Sequence, residues 1–235
     1  MLWYKGWLET RFKLLFLIGF TIFLLCFQYS VRNAATPAGG RNPALGFILI
    51  STPSLVLMVC AILGGAGIAT QPSFQASKGL HGSILFTLSL PASRLQLLMV
   101  RAGIGWLEFV GIVGALCCGS WFVSPAFRAM TTPMETLEYA VTLIACGSAF
   151  FGLSVLLATF LDDQWRAWGT MMASVALWWL SAHTPLPAST NIFHAMREGS
   201  PVLAHTMPWT AMAFSLVLAA MLFFAALKIV RIREY

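Results

Sequence analysis

Trp209-Thr210-Ala211-Met212-Ala213-Phe214-Ser215-Leu216-Val217-Leu218-Ala219-Ala220-Met221-Leu222-Phe223-Phe224-Ala225-Ala226-Leu227-Lys228-Ile229-Val230 contains a single charged side chain, Lys228, at its very end. A bilayer's hydrocarbon core is about 30 Å thick and takes roughly 20 mostly apolar residues to cross as an α-helix. This run has that length and composition. Working back along the chain, five more apolar runs lie between charged or Pro/Gly-rich breaks, at 165–181, 137–161, 95–122, 45–69 and 12–29. The run at 165–181 is the shortest, but Trp165, Trp168, Trp178 and Trp179 stand near its two ends, where interfacial aromatic rings belong.

Composition agrees with the pattern. Of 235 residues 59% are hydrophobic and 9% charged, against roughly a quarter charged in a soluble globular domain. A soluble fold of this length still exposes about a quarter to a third of its unfolded surface, so lipid has to cover what a core cannot. The expected fold is all-α and integral to the membrane: six transmembrane helices in one domain over 1–235. No internal repeat is visible, and no loop is long enough for a second domain.

The formal charge of +6 would suit nucleic acid only if the basic residues formed a patch or arm. They gather instead at the ends of apolar runs, which is the mark of membrane topology, and nothing matches a nucleic-acid-binding motif. With the N-terminus inside, cytoplasmic segments hold Lys5, Arg11, Lys13, Lys78, Arg94, Arg101, Arg166, Lys228, Arg231 and Arg233. That is ten of the 14 basic residues, and Arg32, Arg41, Arg128 and Arg197 remain outside. The positive-inside rule favours this orientation, with both termini in the cytoplasm and the chain in the cell inner (plasma) membrane.

Before the first span, Leu2, Trp3, Trp7 and Leu8 recur at helical spacing while Lys5, Glu9, Arg11 and Lys13 supply a polar side. This predicts an amphipathic helix over about 1–12 lying in the membrane interface. The rival is a cleaved signal peptide cut around 33–38, which Glu9 and the two tryptophans fit poorly. Cys26, Cys60, Cys117, Cys118 and Cys146 all lie inside apolar stretches and read as small packing residues.

Ionisable residues inside a span are costly, and each raises a functional question. Arg101 and Glu108 stand seven residues apart on one face of the third span, with Glu108 about 10 Å deeper at 1.5 Å per residue and thus near mid-bilayer. Two readings of Glu108 compete: a proton or substrate site in a translocation path, and a hydrogen-bonded carboxyl that locks helices together. Arg101 reads as an interfacial residue that snorkels. Gly111 with Ala115, Gly114 with Cys118, and Ser148 with Gly152 are small pairs at i,i+4 that allow close helix packing, within the bundle or across a dimer.

The stretch 71–94 is too polar at first, and too interrupted by Pro72 and Pro91, to cross the membrane. Its second half alternates small polar and large apolar residues, as in a short segment lying against the membrane or a partner. Ser89-Leu90-Pro91-Ala92-Ser93-Arg94, followed by Val100-Arg101-Ala102 and Leu107-Glu108, resembles the segment around the third span of ABC-2 type transporter permeases. Trp3-Tyr4-Lys5-Gly6-Trp7-Leu8-Glu9-Thr10-Arg11 resembles their N-terminal interfacial helix. The family commonly places a glutamate shortly before the glycine that precedes the Leu-Pro motif; Ser77 and Lys78 stand in that neighbourhood here.

The resemblance implies a permease subunit of a bacterial ATP-driven exporter, paired with a second permease subunit to form a twelve-helix pore above two separate ATPase subunits. It makes the loop with Lys78, Gly79, His81, Gly82, Pro91 and Arg94 the element that couples to the ATPase. It also places a substrate path at the dimer interface, lined by the first, second and fifth spans and suited to a hydrophobic or amphipathic cargo. Glu108 becomes a family feature.

No G-x-x-x-x-G-K-[ST] occurs, and Gly64-Gly65-Ala66-Gly67 lies in an apolar run without a following Lys-Ser or Lys-Thr. As a transporter subunit the chain would leave hydrolysis to another polypeptide, and no cofactor is called for. His183, His194 and His205 fall at intervals of eleven, about 16 Å along a helix, without the tight spacing of metal ligands. An intramembrane enzyme would need several reactive groups at one depth, where only Glu108 stands. A proton-coupled secondary transporter and a non-transporting immunity or scaffold protein compete with the exporter reading.

Overall fold

The computed structural model describes residues 2–31, 43–65, 94–161, 163–184 and 187–232. Among them the helices are α1 (Leu2–Val31), α2 (Pro43–Leu63), α3 (Arg94–Val123), α4 (Pro125–Met130), α5 (Pro133–Leu157), α6 (Asp163–His183), α7 (Ile192–Met196), α8 (Pro201–Ala204) and α9 (Trp209–Ile232). The described residues contain no strand. Five helices, α1, α2, α3, α5 and α9, are long and apolar enough to cross a membrane, as in a multi-pass membrane protein. The 21-residue α6 is not among them, because Arg166, Thr170, Ser174 and its tryptophans dilute its apolar content.

Helix boundaries follow local chemistry. α5 begins at Pro133, four residues before the expected 137, because Thr132 and Glu135 form a capping box: the Glu135 N–H donates to Thr132 Oγ1 (3.2 Å) and the Thr132 N–H to Glu135 Oε2 (2.7 Å). Pro133 at the first helical position suits that start, since its missing N–H would have had no helical partner. α2 ends at Leu63, short of the expected 69, in a turn at Gly64-Gly65, where Gly65 takes φ 71°. Residues 66–69 lie outside the described residues.

The expected separate interfacial helix over 1–12 is instead the opening of α1, which runs unbroken for 30 residues. No proline interrupts 2–31, and a lone glycine such as Gly6 weakens a helix without ending it. Trp3 also packs along α3, with its Cη2 3.5 Å from where a Cβ on Gly103 would lie.

α5 is the central helix, packed most extensively against α9 and also against α3, α2 and α6. Its glycines set the approach: a Cβ on Gly147 would lie 2.8 Å from both Phe109 and Val56, and one on Gly152 would lie 3.1 Å from the Ala219 carbonyl oxygen of α9. Of the three small pairs, Ser148 and Gly152 thus lie in a packed interface. Gly111, Ala115 and Cys118 face outward on α3, and Cβ atoms on Gly111 and Gly114 would meet nothing within 4 Å. Side-chain bonds between helices add to the packing: Ser215 Oγ donates to the Cys146 carbonyl (2.8 Å) and Cys60 Sγ to that of Gly147 (3.3 Å).

The polarity of α6 is inverted relative to a helix in water. Arg166, Thr170 and Ser174, at i,i+4 spacing, are buried, whereas Trp165, Trp168, Met172, Val175, Trp178 and Trp179 are exposed. Thr170 and Ser174 satisfy their hydroxyls on the carbonyls four residues back, at 2.9 and 2.7 Å. An apolar exterior over a polar interior is stable where the surrounding medium is hydrocarbon.

Candidate functional site: a polar cluster at one end of the bundle

Three contacts fix the relation of α1 to α3. Trp3 lies against Gly103, Thr10 against Glu108 and Leu25 against Gly119, so the two helices run parallel and side by side. The Thr10 hydroxyl donates to Glu108 Oε1 at 2.6 Å, and it also contacts the Trp7 carbonyl at 3.2 Å. Thr10 opens the apolar part of α1. Glu108 is the eleventh residue of the apolar part of α3, Leu98–Val123. Its second oxygen, Oε2, is buried without a hydrogen-bond partner among the described residues.

One turn further along α1, Lys13 Nζ donates to Asp163 Oδ2 at 2.9 Å, tying α1 to the first turn of α6. Lys13 also acts electrostatically on Glu108. Arg166 follows Asp163 by three residues, its Nη2 3.7 Å from Asp163 Oδ1. Only 1% of Arg166 is exposed. Its Nη2 donates to the Ile62 carbonyl at 3.1 Å, while Nε and Nη1 have no partner among the described residues. A cation at the carbonyl end of α2 and a carboxylate at the amide end of α6 both oppose the local helix dipole.

The last turn of α2 is therefore held twice. Arg166 of α6 grips the Ile62 carbonyl, and Ser154 of α5 donates to the Gly64 carbonyl at 2.9 Å. A Cβ on Gly105 of α3 would lie 2.7 Å from the Leu63 carbonyl oxygen, so α3 crosses the same turn in direct contact. The chain continues from this point into residues 66–93, which lie outside the described residues, and α3 follows at Arg94.

Of the residues singled out in the sequence, Glu108 belongs to this cluster. Arg101 is half-buried two turns before it on α3, and Arg94 opens α3. Lys78, Gly79, His81, Gly82 and Pro91 lie outside the described residues. The three histidines contact separate partners. His183 Nδ1 lies 2.8 Å from the Trp179 carbonyl, His194 Nδ1 lies 3.6 Å from Glu198 and His205 Nδ1 lies 2.7 Å from Glu135. No group of three or more metal-ligating side chains converges among the described residues.

Sequence reasoning read Lys13 as a topogenic charge on the polar side of an interfacial helix and Arg166 as a topogenic charge, and it gave Thr10 and Asp163 no role of their own. One signal was available for Arg166: it heads the polar stripe Arg166, Thr170, Ser174 on an otherwise apolar helix. Chemically the cluster offers two cations, two carboxylates and a hydroxyl; Arg166 and Asp163 act at helix ends, and Glu108 has one buried oxygen without a partner among the described residues. Comparison of the chain with known protein families, with characterised proteins and with solved structures returned no match.

Proposed function

We propose that this chain is the permease subunit of an ATP-driven exporter of the ABC-2 type, with ATP hydrolysed by a separate subunit and a second permease subunit completing the pore. The observation that carries this reading is the double fastening of the last turn of α2 by Arg166 and Ser154. The chain continues from that turn into residues 66–93, and its 89–94 stretch resembles the family's. A push on it would pass straight into α5 and α6. Packed interfaces of this kind move between discrete arrangements rather than bending continuously. The subunit's own task is then mechanical, and its partners are an ATPase, a second permease and lipid.

The six-span layout is part of the proposal. The exposed apolar face and buried polar stripe of α6 support counting it as a span between α5 and α9. The bias of basic residues supports cytoplasmic termini in a bacterial inner membrane, with Trp3, Tyr4 and Trp7 of α1 near the interface. Purification in mild detergent tests the reading: a soluble ATPase whose hydrolysis rises when this chain is present is the expected co-purifying partner. Transport that persists in a preparation free of any ATPase would overturn it.

A second reading, a proton-coupled transporter, is favoured by the unpartnered Oε2 of Glu108 among the described residues. Glu108→Gln keeps the shape and the bond from Thr10 and removes the charge. Transport with an unchanged pH dependence in that variant excludes proton carriage by Glu108.

A further inference from the structure

Two three-helix units of opposite sense make up the bundle. α1 and α3 run parallel, with Trp3 by Gly103 and Leu25 by Gly119. α5 and α9 are parallel too: Met212 meets Thr142 at 3.9 Å, Ser215 meets Cys146 at 2.8 Å, and Ala219 meets Gly152. Between the members of each pair one helix runs the other way. α2 follows the course of α5, with Cys60 on Gly147 and Gly64 on Ser154. α5 in turn opposes α3, since Gly105 lies by Phe151 and Phe109 by Gly147. α6 returns the chain toward the start of α9, where the Ser189 carbonyl accepts from Thr210 at 2.6 Å. The trios α1, α2, α3 and α5, α6, α9 therefore share one plan and point in opposite directions.

The units differ in how the middle helix is held. α2 packs against both α1 and α3, and other helices take its last carbonyls, Arg166 that of Ile62 and Ser154 that of Gly64. α6 packs against α5 and α2 but makes no comparable contact with α9. Its burial stops at Ser174. None of residues 175–183 is buried, although they cover every face of the helix. Leu177 and Trp178, which continue the line of Thr170 and Ser174, are each 45% exposed. The last carbonyls of α6 are met by its own side chains: Trp178 by Ser181, Trp179 by His183 and Leu180 by Thr184. The second half of α6 thus stands away from the bundle and needs no bond from it.

We infer that the two middle helices alternate: when the last turn of α2 is released, the second half of α6 closes onto α5 and α9, as α2 now lies on α1 and α3. α6 contains no proline and tilts as one rod. It bears on the bundle at the buried Thr170 and Ser174, with Arg166 on one side and about 13 Å of unpacked helix on the other. Displacing Arg166 with the Ile62 carbonyl away from α5 therefore swings the far end of α6 toward the bundle. Inverted units reach two-sided access by such rocking of one against the other. The inference rests on α6 being a span, as proposed above, and it carries a push on α2 to the opposite face of the membrane.

Double electron–electron resonance on the full chain in nanodiscs tests this. Spin labels go on Leu180→Cys and Val217→Cys, both exposed positions, after Cys26→Ser and Cys118→Ser remove the exposed thiols. The parent should populate chiefly the long distance. Ser154→Ala should raise the ratio of short to long about threefold, the factor carried by one average hydrogen bond between membrane helices. Gly105→Ala, which displaces the same turn from the α3 side, should raise it as well. One unchanging distance in both variants overturns the inference. So does a short distance that singly labelled chains also show, since that comes from a second copy. A membrane-impermeant maleimide on Ala182→Cys tests the span separately: labelling from outside the cell supports it, and labelling from the cytoplasm alone overturns it. No ATPase enters either measurement, so the exporter reading stands or falls on its own test.

Discussion

Gly105→Ala is the sharpest probe of the cluster. The added methyl would lie 2.7 Å from the Leu63 carbonyl oxygen and 3.5 Å from Phe151. The first contact is with backbone, so no side chain can swing away. Reaching ordinary contact requires α2 and α3 to separate by about 0.5–0.8 Å. The last turn of α2 is the movable part, and its movement stretches the bonds from Arg166 to Ile62 (3.1 Å) and from Ser154 to Gly64 (2.9 Å).

A hydrogen bond from a charged donor contributes about 1.5–3 kcal/mol and a neutral one about 0.5–1.5 kcal/mol. Stretched by that much both bonds are lost, at about 2–4 kcal/mol, and the better helix propensity of alanine returns about 1 kcal/mol. The net loss is about 1–3 kcal/mol. At about 2–4 °C per kcal/mol for a chain of this size, the midpoint should fall by about 3–10 °C. The assay is thermal unfolding in detergent by circular dichroism beside Gly111→Ala, whose methyl would meet nothing within 4 Å. A Gly105→Ala protein as stable as Gly111→Ala refutes the reasoning.

Other perturbations follow from the same contacts. Thr10→Val should cost about 1–3 kcal/mol in unfolding experiments, because it leaves the Glu108 carboxyl without its hydroxyl donor; Glu108→Gln, which retains the acceptor, should stay within about 1 kcal/mol of the parent. Ser215→Ala removes the α9-to-α5 bond on the Cys146 carbonyl and should cost about 0.6 kcal/mol by denaturant titration, the average for hydrogen bonds between membrane helices. A double-mutant cycle on Lys13→Met and Asp163→Asn should give about 0–1 kcal/mol of coupling that shrinks with added salt, since side chains 32% and 39% exposed are well screened.

The long helices were legible because hydrocarbon imposes a length, and runs such as 209–230 and 95–122 meet it without reference to any neighbour. Boundaries were less so. The early start of α5 was written as Thr132-Pro133-Met134-Glu135, a capping box hidden beside a longer apolar run. The continuity of α1 was obscured because an amphipathic opening suggests a break, which needs a breaker that 2–31 lacks. In the site, Glu108 announced itself as a charge within a span, but Thr10, its partner, is 98 residues away. Nothing local distinguishes a threonine that will meet a carboxyl from one that will not. The small pairs make the same point: Ser148 and Gly152 pack while Gly111 and Ala115 do not, and only the arrangement of neighbours separates them.

The outward tryptophans of α6 carry a consequence for the surrounding lipid. Trp165 and Trp179 are 14 residues apart, about 21 Å along a helix, and both are exposed. Indole rings prefer the headgroup level, and that level is about 30 Å apart across a typical hydrocarbon core. With α6 as a span, its rings draw the two leaflets toward each other by several ångströms, at fractions of a kcal/mol per ångström of mismatch. The membrane beside this helix would then be thinner than elsewhere around the protein, and polar headgroups would come closest to the bundle along that side.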